Sequence, residues 1–555
     1  MSHNWVPLDI PLEQHPNYPL IMYLSRQFLI DPIIGHYLYL HGFNNEEKLK
    51  RFLEPNIVED LHDPFLMNDM KKAVIRIIKA IKQKEKILIF GDYDCDGITS
   101  TSLLYLALKQ FKGEVTYRLP LRSEGYGLSA HAMKQVDTDI SLVITVDNGT
   151  SSHEAMMVAK EKGIDVIVTD HHEILGPYPN CYAFINPKRH DNKYPFTSLS
   201  GAGVALKMVQ ALYLAAKRKF DVEFHSYLEL ATLGTIADLM PIIDENRVIC
   251  SLGLRKMNNE PHPVFKRIFE KSFVKVVDSS TIGFTLGPIL NSSGRIGDPN
   301  IAVDILTKAE IKEAQIDSLI HLNTKRKELT NQQFILAENQ IKQRQLYNDK
   351  VIVVFDDFHN GIIGIVAAKI TEMYKKPSIV ISTTGIGSAR SVNGSGFSII
   401  NVINNSSELL KKYGGHQAAA GLSITPEEKQ IHQFRTAILQ AAENEVFNRP
   451  PLTYIRKMEI QNFYEDLFDS ITYLEPYGIN IPKPLFYSDS KRNPSTSVFG
   501  TNSEHMKLTY RKNEAIAFNK GSLSHLISRN RPVHALYSTF CNKKKNFLIH
   551  SLKVE

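Results

Sequence analysis

The sequence predicts an α/β protein: a parallel-sheet domain and a second α/β domain joined by a long helix, followed by a small C-terminal β-barrel. Three observations predict it. From Ala73 to about Ile249, short β-rich apolar runs alternate with helical patterns, the signature of a parallel sheet with helices on both faces. A second alternation of this kind begins at Val351. From residue 453 onward only short strand-like runs remain, as in a small barrel.

The elements follow in order. Residues 1–70 read as a helical lead-in with turns at Pro55 and Pro64. Over 71–250 the expected strands are Ile87–Phe90, Val115–Arg118, Leu142–Val146, Val166–Thr169 and Ala183–Ile185. The expected helices there are Thr99–Phe111, His153–Lys162, Val204–Lys217 and Tyr227–Leu239. A connecting region, 251–346, ends in a polar helix from Thr307 to about Leu346, which contains no Gly or Pro and opens with capping-box spacing at Thr307 and Glu310. The second α/β unit, 347–450, offers strands Val351–Phe355 and Ser378–Ser382 around a helix Ile362–Tyr374, then two Gly-rich segments, GSARSVNGSGFSI and YGGHQAAAG. In 451–555 the strand-like runs are His505–Tyr510, Ala515–Phe518, Val533–Tyr537 and Phe547–His550.

Composition bounds the function. The 555 residues suffice for three or four domains. No apolar run is long enough to span a bilayer, and the first residues carry no secretory pattern. Four scattered cysteines without a C-x-x-C pair point to a reducing cytoplasm. The net charge is +6, but the segment from Lys483 to Glu555 holds 13 Lys and Arg against 4 Asp and Glu, a balance of +9 that leaves −3 for the rest. A basic module beside a carboxylate-rich core suits a polyanion that one part grips and another attacks. A merely solvated Lys-rich surface reads the same charge equally well.

The chemistry lies in four short blocks, GDYDCDG, VDNG, TDHH and IADL. The first three follow the apolar runs ILIF, LVIT and DVIV, so Asp92, Asp94, Asp96, Asp147, Asp170, His171 and His172 fall at strand ends, where parallel α/β sheets bind ligands. Asp238 closes a helical run. Carboxylates gathered beside apolar strands need a neutraliser. The simplest is a pair of divalent cations, and mixed carboxylate and imidazole donors suit Mn²⁺ or Mg²⁺. His171 is the expected ligand and His172 the expected phosphate contact, while Asp170 either ligates or orients an imidazole. In the second unit, Arg390 and Ser391 lie in an expected Gly-flanked loop suited to an anion. YGGHQAAAG, with His416, and NSSGRIG, with Arg295, are open to the same reading or to a purely structural one.

The four blocks, in this order, resemble the motifs of the DHH phosphoesterase superfamily, and SARS with GGHQAAAG resembles its DHHA1 subfamily. EGYGLS, SGAGVALK, NSSGRIG and HNGIIGIVAAKI extend the resemblance to its single-strand-specific exonucleases. That resemblance implies a catalytic α/β domain, a substrate-recognising DHHA1 domain and a terminal OB-like barrel. It implies metal ligands at Asp94, Asp96, Asp147 (bridging), His171 and Asp238, with Asp92 in support and His172 on phosphate. Arg390, Ser391 and His416 would hold the nucleic-acid backbone, with Arg295 added to that set. The implied activity is 5′→3′ hydrolysis of single-stranded DNA to 5′-mononucleotides, in DNA repair and recombination, with a single-strand-binding protein or a helicase as candidate partners. A cleft between the two α/β units would admit one strand, and the basic barrel would be a separable grip.

Two positions depart from the pattern: Phe90 stands where some relatives carry a His four residues before the first ligating Asp, and Pro476-Tyr-Gly-Ile-Asn-Ile-Pro482 replaces PFGxGNP. The alternatives are an oligoribonuclease or cyclic-dinucleotide phosphodiesterase, which is usually compact, a pyrophosphatase, which lacks the SARS and GGH segments, and a non-catalytic replication scaffold, which typically loses metal ligands.

Overall fold

A computed structural model describes residues 5–308, 310, 312–448, 450–490, 494–500, 502–527, 532–541 and 544–554. It divides into two compact units. Among the described residues, one comprises 5–291, 298–317 and 453–554; the other comprises 292–297 and 318–452. The Glu313–Gln343 helix runs from the first into the second.

After a short strand, β1 (Trp5–Pro7), and four α-helices, Tyr18–Gln27, Pro32–Leu40, Glu46–Leu53 and Met70–Gln83, the chain enters the first sheet. Its strands are β2 (Lys86–Phe90), β3 (Glu114–Arg118), β4 (Ile140–Val146), β5 (Asp165–Thr169) and β6 (Ala183–Ile185). Their order is β3-β2-β4-β5-β6, all parallel. Ile87, Ile89, Phe90, Ile144, Val146, Ile167 and Val168 are all fully buried, as expected for strands covered on both faces. The order reverses at β2 and β4, so the carboxyl ends of those two strands flank a crevice.

The second sheet has β7 (Ile352–Asp356), β8 (Ser378–Ser382), β9 (Ile386–Arg390), β10 (Leu410–His416) and β11 (Ala419–Ile424), in the order β10-β11-β9-β8-β7. Only β7 and β8 are parallel. The last strands are β12 (Leu452–Tyr454), which pairs with β1, and β13 (Arg456–Lys457), β14 (Phe486–Ser490), β15 (Ser495–Phe499), β16 (His505–Tyr510), β17 (Asn513–Ala517), β18 (Val533–Cys541) and β19 (Lys545–Val554). The last seven form one sheet, ordered β13-β14-β18-β19-β17-β16-β15, in which the β13–β14 and β17–β19 pairs are parallel.

Several sequence expectations need correction. The helix after β2 starts at Cys95, not Thr99, because Asp94 caps it: the Asp94 carboxylate accepts from the N–H groups of Asp96 and Gly97 at 3.0 and 3.1 Å. Asp96 therefore sits in the first helical turn and not in an open turn. The helices expected from Val204 and Tyr227 start earlier, at Gly201 and Val222, where Ser200 and Asp221 cap them. The long helix runs Glu313–Gln343; Thr307 instead ends the Asn300–Thr307 helix and donates back to Val303 O, so it caps nothing. Ala309, between the two proposed capping residues, lies outside the described residues. The two Gly-rich segments are only partly loops: Arg390 ends β9 and His416 ends β10, because Gly, Ser and Ala fit a closely paired ladder as readily as a turn, while Ser391 opens the loop that leads to the Ile399–Asn404 helix.

The lead-in holds a larger surprise. Leu24, Ile34, Leu38, Leu49 and Leu53 share one buried core with Leu467, Phe486, Met506, Leu508 and Tyr537, so the first three helices fold onto the C-terminal barrel. Arg247, 3% exposed, pins both to the first α/β domain. Its guanidinium donates to Phe52 O, Leu474 O and Pro476 O at 2.8–2.9 Å and lies 3.9 Å from the Phe52 ring. The Pro476-Tyr-Gly segment belongs to this seam, where a Cβ on Gly478 would meet Ile242 at 2.5 Å.

Candidate metal centre and phosphate-binding residues

The centre grows from the carboxyl ends of β2, β4 and β5. Asp147, just past β4, adopts a left-handed backbone with φ 61°, a strained conformation that Asp tolerates better than most residues. Beside it, Asn148 is fully buried; its amide donates to Phe90 O and Val146 O and accepts from Leu128 N–H, tying the two strand ends together. Asp96 is held by the first N–H groups of the Gly201–Ala215 helix, from Gly201 at 2.6 Å and Ala202 at 2.8 Å, a favourable end of the helix for a carboxylate. Two glycines make room. A Cβ on Gly201 would lie 2.5 Å from Asp147 Cβ, and one on Gly234 would lie 2.3 Å from Asp96 Oδ1.

His171 is the hub. Its Nε2 lies 3.1 Å from Asp147 Oδ1 and 3.7 Å from both Asp96 Oδ2 and Asp238 Oδ2. Candidate ligand atoms of Asp96, His171 and Asp238 fall within 4.8 Å of one another, as do those of Asp92, Asp94 and Asp147. A third set, Asp147, Asp170, His171 and His172, overlaps the other two. Asp147 thus stands between two ligand sets.

The electrostatics suit a site that binds cations. Burial, then the charge of Asp94, pushes Asp92 well above the usual carboxylate range and Asp96 up to about 7. Burial and the neighbouring carboxylates push Asp147 well up, and Asp238 to about 8. Burial and the His172 charge lower His171 to about 3, leaving the neutral imidazole that metals bind. Asp92 Oδ1 is buried with no hydrogen-bond partner. Oxygen donors with one imidazole fit a hard divalent ion such as Mn²⁺ or Mg²⁺.

Asp170 has little capacity left for a ligand's role. Its carboxylate accepts from the N–H groups of Thr150, His171 and His172 and lies 2.7 Å from His172 Nδ1. Burial would raise its pKa, but the His172 hydrogen bond and charge hold it well below the usual range. Conversely, Asp170 outweighs burial at His172 and raises it to about 9. Of its two sequence-stated alternatives, these contacts favour orientation.

Besides Asn148, two further residues carry no role in the sequence patterns. Asn186, at the end of β6, donates to Thr150 Oγ1 and His172 O. Tyr126, in the EGYGLS block, sets its hydroxyl 2.9 Å from Asp147 O and 3.1 Å from His172 Nε2. Its flanking glycines, both with positive φ, were the available signal.

In the other unit, Arg390, Ser391 and His416 meet through the ladder: Ala419 pairs with Arg390 on one side and His416 on the other, and Ser391 N–H donates to Ala418 O. Arg390 donates to Ser388 Oγ and Ala389 O. Arg295 donates to Gly361 O at 3.2 Å, and a Cβ on Gly364 would lie 2.9 Å from the Arg390 guanidinium. The HNGIIG turn therefore seats both arginines.

Fold and centre together define a phosphoesterase class. The model of the DHH family N-terminal domain matches residues 86–235, that of the DHHA1 domain 348–444, and that of the RecJ OB domain 456–553. The single-stranded-DNA-specific exonuclease RecJ of Bacillus subtilis is 33% identical over 92% of this chain and 66% of its own length. That of Salmonella typhimurium is 32% identical over 76% of this chain and 78% of its own. The chain belongs to the RecJ family. Its fold matches the crystal structure of Thermus thermophilus RecJ in complex with Mn²⁺, with a TM-score of 0.83 at 23% identity over 99% of this chain and 79% of that one. A crystal structure of exonuclease RecJ bound to manganese matches with a TM-score of 0.58 at 26% identity over 69% of this chain and 96% of that one.

Proposed function

We propose that this chain is a divalent-metal-dependent exonuclease that degrades single-stranded DNA from its 5′ end to 5′-mononucleotides, in the reducing cytoplasm and in the service of repair and recombination. The observation that carries it is the run of overlapping ligand sets through Asp147 and His171, in a chain whose relatives are named single-stranded-DNA-specific exonucleases. Asp94, Asp96, Asp147, His171 and Asp238 would hold two Mn²⁺ or Mg²⁺ ions, with Asp92 in support. Bound there, such ions supply Lewis acidity toward the phosphodiester and a water acidic enough to act as nucleophile at neutral pH.

The chain's own groups do the rest. Asp96, anchored on a helix N-terminus, and Asp147, locked by its strained turn, present oxygens in fixed directions, so little reorganisation accompanies reaction. Asp170 orients His172, whose Nε2, 3.1 Å from the Tyr126 hydroxyl, would exchange that contact for a phosphate oxygen or the departing 3′ oxygen. Arg390, Ser391, His416 and Arg295 would carry the backbone phosphates, with the Arg390 fork matched to two oxygens. Among the described residues Cys95, Cys181 and Cys250 are free, in agreement with a reducing compartment, and no helix is long and apolar enough to cross a membrane.

The test is digestion of 5′- and 3′-labelled single and double strands with Mn²⁺, Mg²⁺ or EDTA, with the products sized. The expected result is mononucleotide release from 5′ ends of single strands, abolished by EDTA. Turnover in EDTA, 3′ polarity or equal attack on blunt duplex would refute it.

A further inference from the structure

The segment from Leu8 to Pro16 has few of the anchors that hold the rest of the chain. It follows β1, which pairs with β12, and its only regular structure is the 3₁₀ turn Leu12–Gln14. Leu12 is its one buried apolar side chain, while Leu8 and Ile10 are exposed. Glu13 is paired with Arg456 of β13 at 2.7 Å. Yet two polar side chains of this segment, Asp9 and His15, converge on a third from another element, His36 of the Pro32–Leu40 helix. The His36 side chain is 3% exposed and that of His15 10%.

The spacing of these groups is that of a coordination shell. Asp9 Oδ2 lies 3.2 Å from His36 Nε2 and 3.5 Å from His15 Nε2, and one ligand atom from each of the three residues falls within 4.8 Å of the others. By the tetrahedral angle, ligands about 2.0–2.1 Å from a zinc ion stand about 3.3 Å apart. Charge-assisted hydrogen bonds between an imidazole and a carboxylate are shorter, as in His62–Asp244 at 2.8 Å and His172–Asp170 at 2.7 Å. The centre around Asp147 shows the longer spacing too: His171 Nε2 is 3.1 Å from Asp147 and 3.7 Å from Asp96 and Asp238. The His15 ring packs edge-on against His36, with centroids 5.1 Å apart, and against Tyr39, at 5.4 Å, which fixes its direction. Asp9 and His36 also line a cavity of about 600 Å³, which leaves a fourth position to water.

We infer that Asp9, His15 and His36 form a further metal site, for Zn²⁺, which staples the amino-terminal segment to the Pro32–Leu40 helix and so to the core shared with the barrel. Two imidazoles and one carboxylate make a softer donor set than the oxygen-rich centre around Asp147, and they suit Zn²⁺ over Mn²⁺ or Mg²⁺. His15 Nδ1 accepts from the Asn17 N–H at 3.1 Å, so in the metal-free ring the proton sits on Nε2 and faces Asp9. A neutral imidazole bound through Nε2 carries its proton on Nδ1 instead, and water takes over the N–H of Asn17, which is exposed. The site shares no residue with the catalytic set and does not rest on the exonuclease reading.

Zinc can also enter the Asp147 centre, so the experiment is read in full-length His171→Ala, which removes that centre's imidazole. This chain is stripped of metal, returned to excess Mg²⁺ and titrated with Zn²⁺ or Co²⁺, alone and with Asp9→Asn or His15→Ala added. The His171→Ala chain should keep one Zn²⁺ that excess Mg²⁺ does not displace, and Co²⁺ in its place should give the visible bands of tetrahedral coordination. Either added substitution should weaken Zn²⁺ by more than the roughly 10- to 100-fold that loss of a supporting hydrogen bond costs. Asp9→Asn keeps the size of Asp and leaves the buried His36 in place, so circular dichroism should show an unchanged fold. Zn²⁺ should raise the melting temperature of the His171→Ala chain and leave both double variants unmoved. A chain that retains no Zn²⁺ against Mg²⁺, or double variants that retain as much, would reduce the cluster to hydrogen bonds and overturn the site. Zn²⁺ bound without a rise in melting temperature would overturn the staple.

Discussion

Asp147 concentrates the argument at the scale of one residue, since it is strained, buried and central to two ligand sets. Asn tolerates a left-handed backbone as Asp does, so Asp147→Asn should fold normally. It should lose turnover by several orders of magnitude and bind fewer Mn²⁺ ions by calorimetry, while anisotropy in EDTA shows strand binding retained. Gly234→Ala makes a complementary prediction. The new methyl would meet Asp96 Oδ1, Ala202 Cβ and Thr99 Oγ1 at 2.3–2.7 Å, a clash worth about 1–3 kcal/mol, so urea unfolding should show that loss together with a reduced kcat. The acids and histidines were legible because carboxylates at the ends of apolar runs have few structural excuses. Asn148, Asn186 and Tyr126 were not, because a lone amide or phenol signals nothing until its partners are placed. Arg390 was assigned to a loop because Gly and Ser weigh toward turns, whereas in β9 they permit close ladder packing.

Among elements, the Gly201–Ala215 and Asp244–Asn259 helices are joined by a fully buried ion pair, Lys207 Nζ to Glu245 Oε1 at 2.6 Å, with Tyr194 also donating to Glu245. Lys207→Met should destabilise by about 3–5 kcal/mol because it strands a buried carboxylate, whereas Lys207→Met with Glu245→Leu should recover much of the loss; a double-mutant cycle of urea melts would measure both. Glu229, 1% exposed, gives the pH dependence. Burial raises it to about 7 from 4.5, so its favourable contribution is complete below about 4.5 and is lost as pH rises through 7. Glu229→Gln should therefore be more stable than wild type at pH 8, by up to about 3 kcal/mol, and this gap should close toward pH 5. Element types were legible from periodicity, but helix starts slipped wherever a cap decided them. Asp94 begins a helix earlier than the apolar pattern does, and Thr307 imitates a cap while ending the helix before it.

For the whole molecule, the consequential finding is that the amino-terminal helices and the terminal barrel share one core. Sequence patterns see neighbours within a window, so a partnership between residues 18–53 and 460–552 left no local trace. It changes what truncation means. Removing residues from 453 onward would uncover Leu24, Ile34, Leu38 and Leu49 and strip Arg247 of two carbonyl partners. That truncated chain should aggregate or melt at lower temperature, with increased binding of an apolar dye, and should not behave as a catalytic core that has merely lost its grip. The same partnership has a consequence in time. During synthesis at about 5–20 residues per second, the first helices leave the ribosome about 400 residues before their barrel exists, a wait of about 20–80 seconds. Through that interval the apolar Pro32–Leu40 segment lacks the barrel surface that covers it in the folded chain, so its burial waits on residues 460–552.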